Sequence, residues 1–240
     1  MPVVLAVLLL MSCHRESLPK PADVTVRFET VVQGDPVVLN QIKYPTQAGH
    51  RFSLLNLKYY LTHISLVADD DSRVELAKVH LADIHDTTSL SLTAFSVPSG
   101  HYKGLEFTFG IPKMQNLVDF LDNTLANQNM LWPAQLGPGA YHYMKCEGQF
   151  DSLDTGVILG YAFHLGPSMG GDYSFDVRRD IDLTIDGQAR ELSIVMDVYN
   201  WFHDPNTYDF AEWLTGIMNK PTVQAIAKEN GYNVFSVTVD

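Results

Sequence analysis

Apolar and polar residues alternate along most of the chain, and a period of two residues is typical of β-strands. Besides a short strand at 37–39, the pattern predicts strands over residues 23–31, 52–67, 74–84, 90–97, 102–111, 141–150, 157–165, 173–183, 190–199 and 234–239. Turn residues separate them, such as Pro98-Ser99-Gly100 and the hairpin signature Asp186-Gly187. The pattern therefore predicts an all-β fold, an antiparallel β-sandwich of about nine or ten strands.

Helical spacing is confined to a few short stretches. Leu117, Val118, Leu121 and Leu125 recur at intervals of three to four residues, which predicts a helix over residues 114–125. Further short helices are predicted over residues 208–218 and 222–229, with Asn219-Lys220-Pro221 between them.

A long hairpin formed by residues 52–67 and 74–84 contains the main candidate chemistry. If its tip is a two-residue turn at Asp71-Ser72, cross-strand partners have numbers that sum to 143, and His63 lies opposite His80. Opposed side chains share one face with Cβ atoms about 5 Å apart, so both imidazoles would reach one metal ion. A slip of one residue would remove the site. The alternative is that His63 is a core or hydrogen-bonded histidine and His80 a solvated one.

Other residues are weaker candidates for a functional site. His164 ends a predicted strand, where it either supports the metal site or bonds a neighbouring loop, and His85 is expected on the opposite face from His80. Trp132 is ordinarily an apolar space-filler. The sequence lacks GxSxG, HExxH, CxxC, a Walker loop and a dinucleotide fingerprint, so we expect a protein that is not an enzyme.

The charge balance narrows the choice of partners. With 16 basic and 28 acidic residues the formal net charge is −12, and no basic stripe is present to neutralise phosphates. We therefore expect no nucleic-acid partner and no binding to anionic membrane surfaces through charge.

The N-terminus has the pattern of a bacterial lipoprotein signal. An apolar run of about ten residues is too short for a stable membrane span, and it ends at Leu10-Met11-Ser12-Cys13, which resembles a lipobox. We predict a signal peptide at 1–13 with lipidation at Cys13, a tether at 14–22 and a single domain at 23–240. A plain cleaved signal is the alternative. Cys146 is then the remaining thiol and is expected to be buried and inert.

An ordered series of short motifs resembles the MbnP-like family of periplasmic or surface copper-binding proteins, first known beside methanobactin operons. The resemblance extends over nearly all of the chain after the tether. Its landmarks are Val26-Arg27-Phe28, Gly34-Asp35-Pro36-Val37, the run 57–64 ending in His63-Ile64, His80-Leu81-Ala82-Asp83, Gly100-His101-Tyr102, Phe109-Gly110-Ile111, Asn116, Met130-Leu131-Trp132, the run 141–148, Phe163-His164-Leu165-Gly166 and the ending 226–235.

The resemblance implies one copper ion, Cu+ or Cu2+, held by two histidines and by a kynurenine made from a tryptophan. Carried over to this sequence, it implies metal ligands His63, His80 and Trp132. It also implies a partner, a di-haem enzyme related to cytochrome c peroxidases that converts Trp132. The function implied is copper capture or handling by a lipid-anchored protein of the bacterial envelope. The alternative is a metal-free surface lipoprotein that binds a polypeptide or glycan.

Overall fold

The computed structural model describes residues 20–214 and 216–240. Those residues form two β-sheets, one of five strands and one of eight, which share a single apolar core. The all-β sandwich predicted from the sequence is confirmed. Its strands are β1 Ala22–Val32, β2 Asp35–Pro36, β3 Tyr44–Pro45, β4 Arg51–Phe52, β5 Asn56–Ala68, β6 Arg73–Asp83, β7 Ser91–Val97, β8 Gly100–Phe109, β9 Met144–Asp151, β10 Ile158–Leu165, β11 Phe175–Ile185, β12 Arg190–Asp197 and β13 Phe235–Val239.

The smaller sheet is arranged around β1. The strand order is β13-β12-β1-β2, and β7 also pairs with β1. Val24, Val26 and Phe28 are buried while the residues between them are more exposed, as the alternation predicts for a strand with one face on the core. The ladder between β1 and β12 is parallel, and the remaining ladders of both sheets are antiparallel.

The larger sheet has β5 and β9 near its centre. Its order is β11-β8-β5-β9-β4-β3, with β6 paired to β5 and β10 paired to β9. Aromatic rings fill the space between the sheets. Trp201 is fully buried and lies 5.0 Å from Phe109 and 6.1 Å from Phe163, measured between ring centroids. These contacts join the chain's last third to the large sheet.

Two of the predicted helices are wrong and one is confirmed. The segment 114–125 forms turns, with Met114 84% exposed, and a single helical turn, α1 Leu125–Gln128, follows it. The segment 208–214 is also built of turns and irregular backbone, whereas α2 Pro221–Gly231 is the predicted third helix. The expected strand at 37–39 is absent, and β2 pairs with β1 just before it.

The long hairpin exists, but the predicted register is wrong. Asp71 adopts a positive φ of 65°, and the Ala68 N–H donates to the Ser72 carbonyl, so the connection is longer than two residues. Leu76 is an extra residue in β6, because Ile64 pairs with Ala77 and Ser65 with Glu75. Further along, Leu61 is the residue that lies opposite His80. His63 and His80 are therefore not cross-strand partners.

Among the described residues, no helix has the length and apolar character that crossing a membrane requires. The predicted signal peptide, lipidation at Cys13 and most of the predicted tether fall on residues 1–19, outside the described part of the chain.

Candidate metal centre

His63 lies at a β-bulge that turns its side chain away from the expected partner. His63 and Ile64 together face one residue of β8, and His63 has a left-handed φ of 55°. Its Nε2 is 2.8 Å from the Gln115 Oε1, and its Nδ1 is 3.7 Å from a carboxylate oxygen of Glu75. Both ring nitrogens thus face polar side chains at the edge of a surface groove.

His80 lies on the side of β6 that faces the smaller sheet. Its ring stacks on Phe28 with centroids 4.2 Å apart, and its Nε2 donates to the Ser89 carbonyl at 2.6 Å. Burial lowers the pKa of His80, so the ring is neutral at pH 7. His63 and His80 share none of these contacts, and neither packs against Trp132.

Trp132 is buried beside a different histidine. Backbone bonds from Trp132 N–H to the Ala140 carbonyl and from His142 N–H to the Met130 carbonyl join the two sides of a Pro- and Gly-rich loop. The indole and the His142 ring are 4.8 Å apart between centroids. The six-membered ring of Trp132 lies directly over Gly166, where a Cβ would be only 2.4 Å from its Cζ3. The indole Nε1 is buried and has no hydrogen-bond partner.

His142 presents an unpaired nitrogen lone pair in a buried place. Its Nδ1 lies 3.1 Å from the Met130 carbonyl oxygen, which only accepts, so Nδ1 carries the proton. Burial, and secondarily the neighbouring His164, lowers the pKa of His142 to about 3, so the ring is neutral at pH 7. Nε2 then bears a lone pair, and it is buried without a hydrogen-bond partner. A buried polar atom without a partner is unusual, and an imidazole lone pair of this kind fits a metal ion.

His164 is the second imidazole of this cluster. Its ring stands perpendicular to that of His142 with centroids 5.3 Å apart, and its Nε2 lies 2.7 Å from the Glu147 Oε1. The bond from His164, with a smaller contribution from Asn56, lowers the pKa of Glu147 to about 2, so Glu147 is an anionic acceptor. The carboxylate only accepts, so the His164 Nε2 donates this bond, and Nδ1 is the ring nitrogen left for another partner.

The cluster fits a metal ion with nitrogen ligands. Two imidazoles that share an ion have centroids no more than about 6 Å apart, since each metal–nitrogen bond is about 2 Å long, and His142 and His164 meet this condition. A carboxylate that accepts from the outer nitrogen of a ligating histidine is the usual support for such a ligand, and Glu147 is placed in that way. Within the described ranges no group of three or more His, Cys, Asp and Glu side chains could hold an ion. A third ligand for an ion at these two rings would therefore be of another kind.

Cys146 is not part of this cluster. It is the free cysteine of the described residues, it is fully buried, and burial raises the pKa of its thiol to about 12. The expected burial of Cys146 is confirmed, and the raised pKa of its thiol favours the expected lack of reactivity.

Sequence reasoning proposed His164 as a supporting residue but passed over His142. The positions of two turns in the sequence nevertheless indicate which of these residues come together. The loop Pro133–Gly139 separates Trp132 from Ala140, and such Pro- and Gly-rich loops join antiparallel segments. The turn at 154–156 sets His164 opposite Lys145, which puts Glu147 on the same face as a diagonal neighbour.

The MbnP family model matches residues 21–219 of the chain. The chain belongs to the MbnP family. A solved structure, MbnP from Methylosinus trichosporium, has the same fold with a TM-score of 0.60 and 15% sequence identity, covering 92% of this chain and 99% of that chain. No curated protein matches the sequence. The family model shows the family and the solved structure shows the same fold, so the predicted resemblance is confirmed.

Proposed function

We propose that this MbnP-family chain binds one copper ion at the centre formed by His142, His164 and Trp132, and that it serves in copper capture or handling in the bacterial envelope. The observation that supports this most is the buried, unpaired Nε2 of a neutral His142 beside a second imidazole. Imidazole nitrogens are good ligands for copper, and an unprotonated ring binds without first losing a proton. This assignment replaces His63 and His80, whose contacts lie elsewhere.

Trp132 supplies the third part of the proposed centre. Two imidazoles leave the coordination of a copper ion incomplete, and an indole nitrogen is a donor group without a free lone pair for a metal. Oxidative cleavage of the indole C2–C3 bond, with peroxide as the oxidant and C2 then lost as formate, would give kynurenine and create an aromatic amine beside His142. We propose that a di-haem enzyme related to cytochrome c peroxidases carries out this conversion, so that the chain itself is not a catalyst. Its attachment to the membrane is proposed to be the lipid at Cys13.

Copper content and intact mass of protein purified from its native host test the proposal. We expect about one copper per chain and a mass change on the peptide that contains Trp132. The His142→Ala, His164→Ala double variant should lose the copper. His63→Ala, His80→Ala is the matched control, since it also removes two imidazoles, and it should keep the metal.

Two results would contradict the assignment. An unchanged copper content in the His142→Ala, His164→Ala protein would exclude these ligands. A loss of copper confined to the His63→Ala, His80→Ala protein would support the pair predicted from the sequence. Native protein without copper would favour the alternative, a metal-free surface protein that binds a polypeptide or glycan.

A further inference from the structure

An open cavity of about 450 Å³ lies beside His164. Its lining is mainly apolar, and the lining residues include His164 and Met218 together with Leu136, Ala162 and Leu214. Trp132 and His142 are 5% and 3% exposed, whereas the His164 side chain is 12% exposed. The cavity therefore reaches the proposed copper centre at His164.

A buried glutamine fixes the backbone next to Met218. The Gln224 Nε2 donates to the His164 carbonyl at 2.8 Å and to the Ile217 carbonyl at 3.3 Å, and its Oε1 accepts from the Gly166 N–H at 3.1 Å. Gln224 is fully buried, so these bonds hold the backbone of residue 217 against the end of β10. Met218, the next residue, consequently faces the same cavity as His164.

We propose that the Met218 Sδ is a ligand for copper(I) at this centre, reaching it through the cavity and making the centre selective for copper(I) over zinc(II). The proposal rests on the proposed copper function. A thioether is a soft ligand that favours copper(I), while zinc(II) in proteins is bound by imidazole, thiolate and carboxylate. Methionine has an unbranched side chain with three rotatable bonds, so its sulfur adjusts to an ion without a change in the backbone.

The test compares Met218→Leu with Met114→Leu, which removes a thioether from a fully solvated side chain elsewhere, 84% exposed. Leucine keeps similar volume and apolar character, so folding is retained. Affinities for copper(I) and zinc(II) are measured by competition with a chromophoric chelator under anaerobic conditions. X-ray absorption of the copper(I) protein reports whether sulfur is bound to copper.

We expect Met218→Leu to weaken copper(I) binding by at least about tenfold, the loss that even outer partners of metal ligands cause. Zinc(II) affinity should stay unchanged, and the sulfur signal seen in the wild-type copper(I) protein should disappear. Met114→Leu should match the wild type in every measurement.

The two proposals fail in different ways. Copper(I) binding that is equal in Met218→Leu and wild type, or a wild-type spectrum without sulfur, would overturn the role of Met218 and leave His142 and His164 in place. Wild-type protein purified from the native host, with Trp132 converted, that binds no copper(I) would overturn the copper function and the role of Met218 with it. Equal loss of copper(I) and zinc(II) affinity in Met218→Leu would contradict the proposed selectivity.

Discussion

Protonation of His142 should make the metal-free protein lose stability in mild acid. In the folded state burial lowers the pKa of His142 to about 3, whereas an imidazole in an unfolded chain titrates near about 6.5. Between those values the unfolded state binds a proton that the folded state does not, so the free energy of unfolding rises with pH. At pH 5 the difference is roughly 1.5 pH units at about 1.36 kcal/mol each, or about 2 kcal/mol relative to neutral pH.

Urea denaturation of metal-free wild type and His142→Gln across pH 5 to 7.5 measures this loss of stability. The free energy of unfolding of the wild type should fall by about 2 kcal/mol more than that of His142→Gln between the two ends of the range. Trp132→Phe is the control, since it disturbs the same cluster without removing a titrating group, and its curve should run parallel to that of the wild type. Parallel curves for wild type and His142→Gln would refute the buried neutral imidazole.

Three further changes probe the surroundings of the centre. Glu147→Gln removes the anionic partner of His164 and should weaken copper binding by about 10–100-fold in a chelator competition; a change below about twofold would contradict its supporting role. Gly166→Ala places a Cβ against Trp132 and should cost about 1–3 kcal/mol in urea denaturation, with a shifted tryptophan fluorescence; wild-type stability would show that the indole moves aside freely. Asn116→Ala removes a buried side chain that accepts from the backbone N–H groups of Ala140 and Tyr141, which follow the loop 133–139. The substitution should lower the free energy of unfolding by about 1–3 kcal/mol and speed proteolysis of that loop; an unchanged cleavage rate would contradict the role of Asn116 in holding the loop.

The strands could be predicted from the sequence because alternation is a local property. β1, β8 and β10 lie within one or two residues of the predicted positions, and the two arms of the long hairpin are those expected. Each of these strands has one face on the core, so apolar and polar residues alternate along its sequence.

The hairpin register could not be predicted, because it depends on single residues. Asp71 takes a left-handed conformation in the turn, and Leu76 is inserted without a partner, so the offset changes along the ladder. The bulge at His63 adds a second shift toward β8. Since side chains alternate faces along a strand, small changes of this kind decide which residues meet.

The false helix at 114–125 has a different cause. Its apolar residues have helical spacing, yet Leu117 and Val118 are exposed, and the backbone is fixed instead by Asn116, whose amide bonds the chain at residues 140 and 141. That long-range contact competes with local propensity, and a single sequence does not reveal it. The same contact fixes the chain at the end of the loop that follows Trp132.

The parallel ladder between β1 and β12 has a consequence for how the protein matures. Its partners, such as Val26 and Leu192, are far apart in the sequence. β1 pairs with β2 and β7 soon after its synthesis, but its neighbour on the other side, β12, is made only when most of the chain exists. Until then the backbone amides of β1 on that side are open to strands of other molecules. Nascent or C-terminally truncated chains should therefore need a holding chaperone, and a fragment ending before Arg190 should aggregate where the whole chain does not.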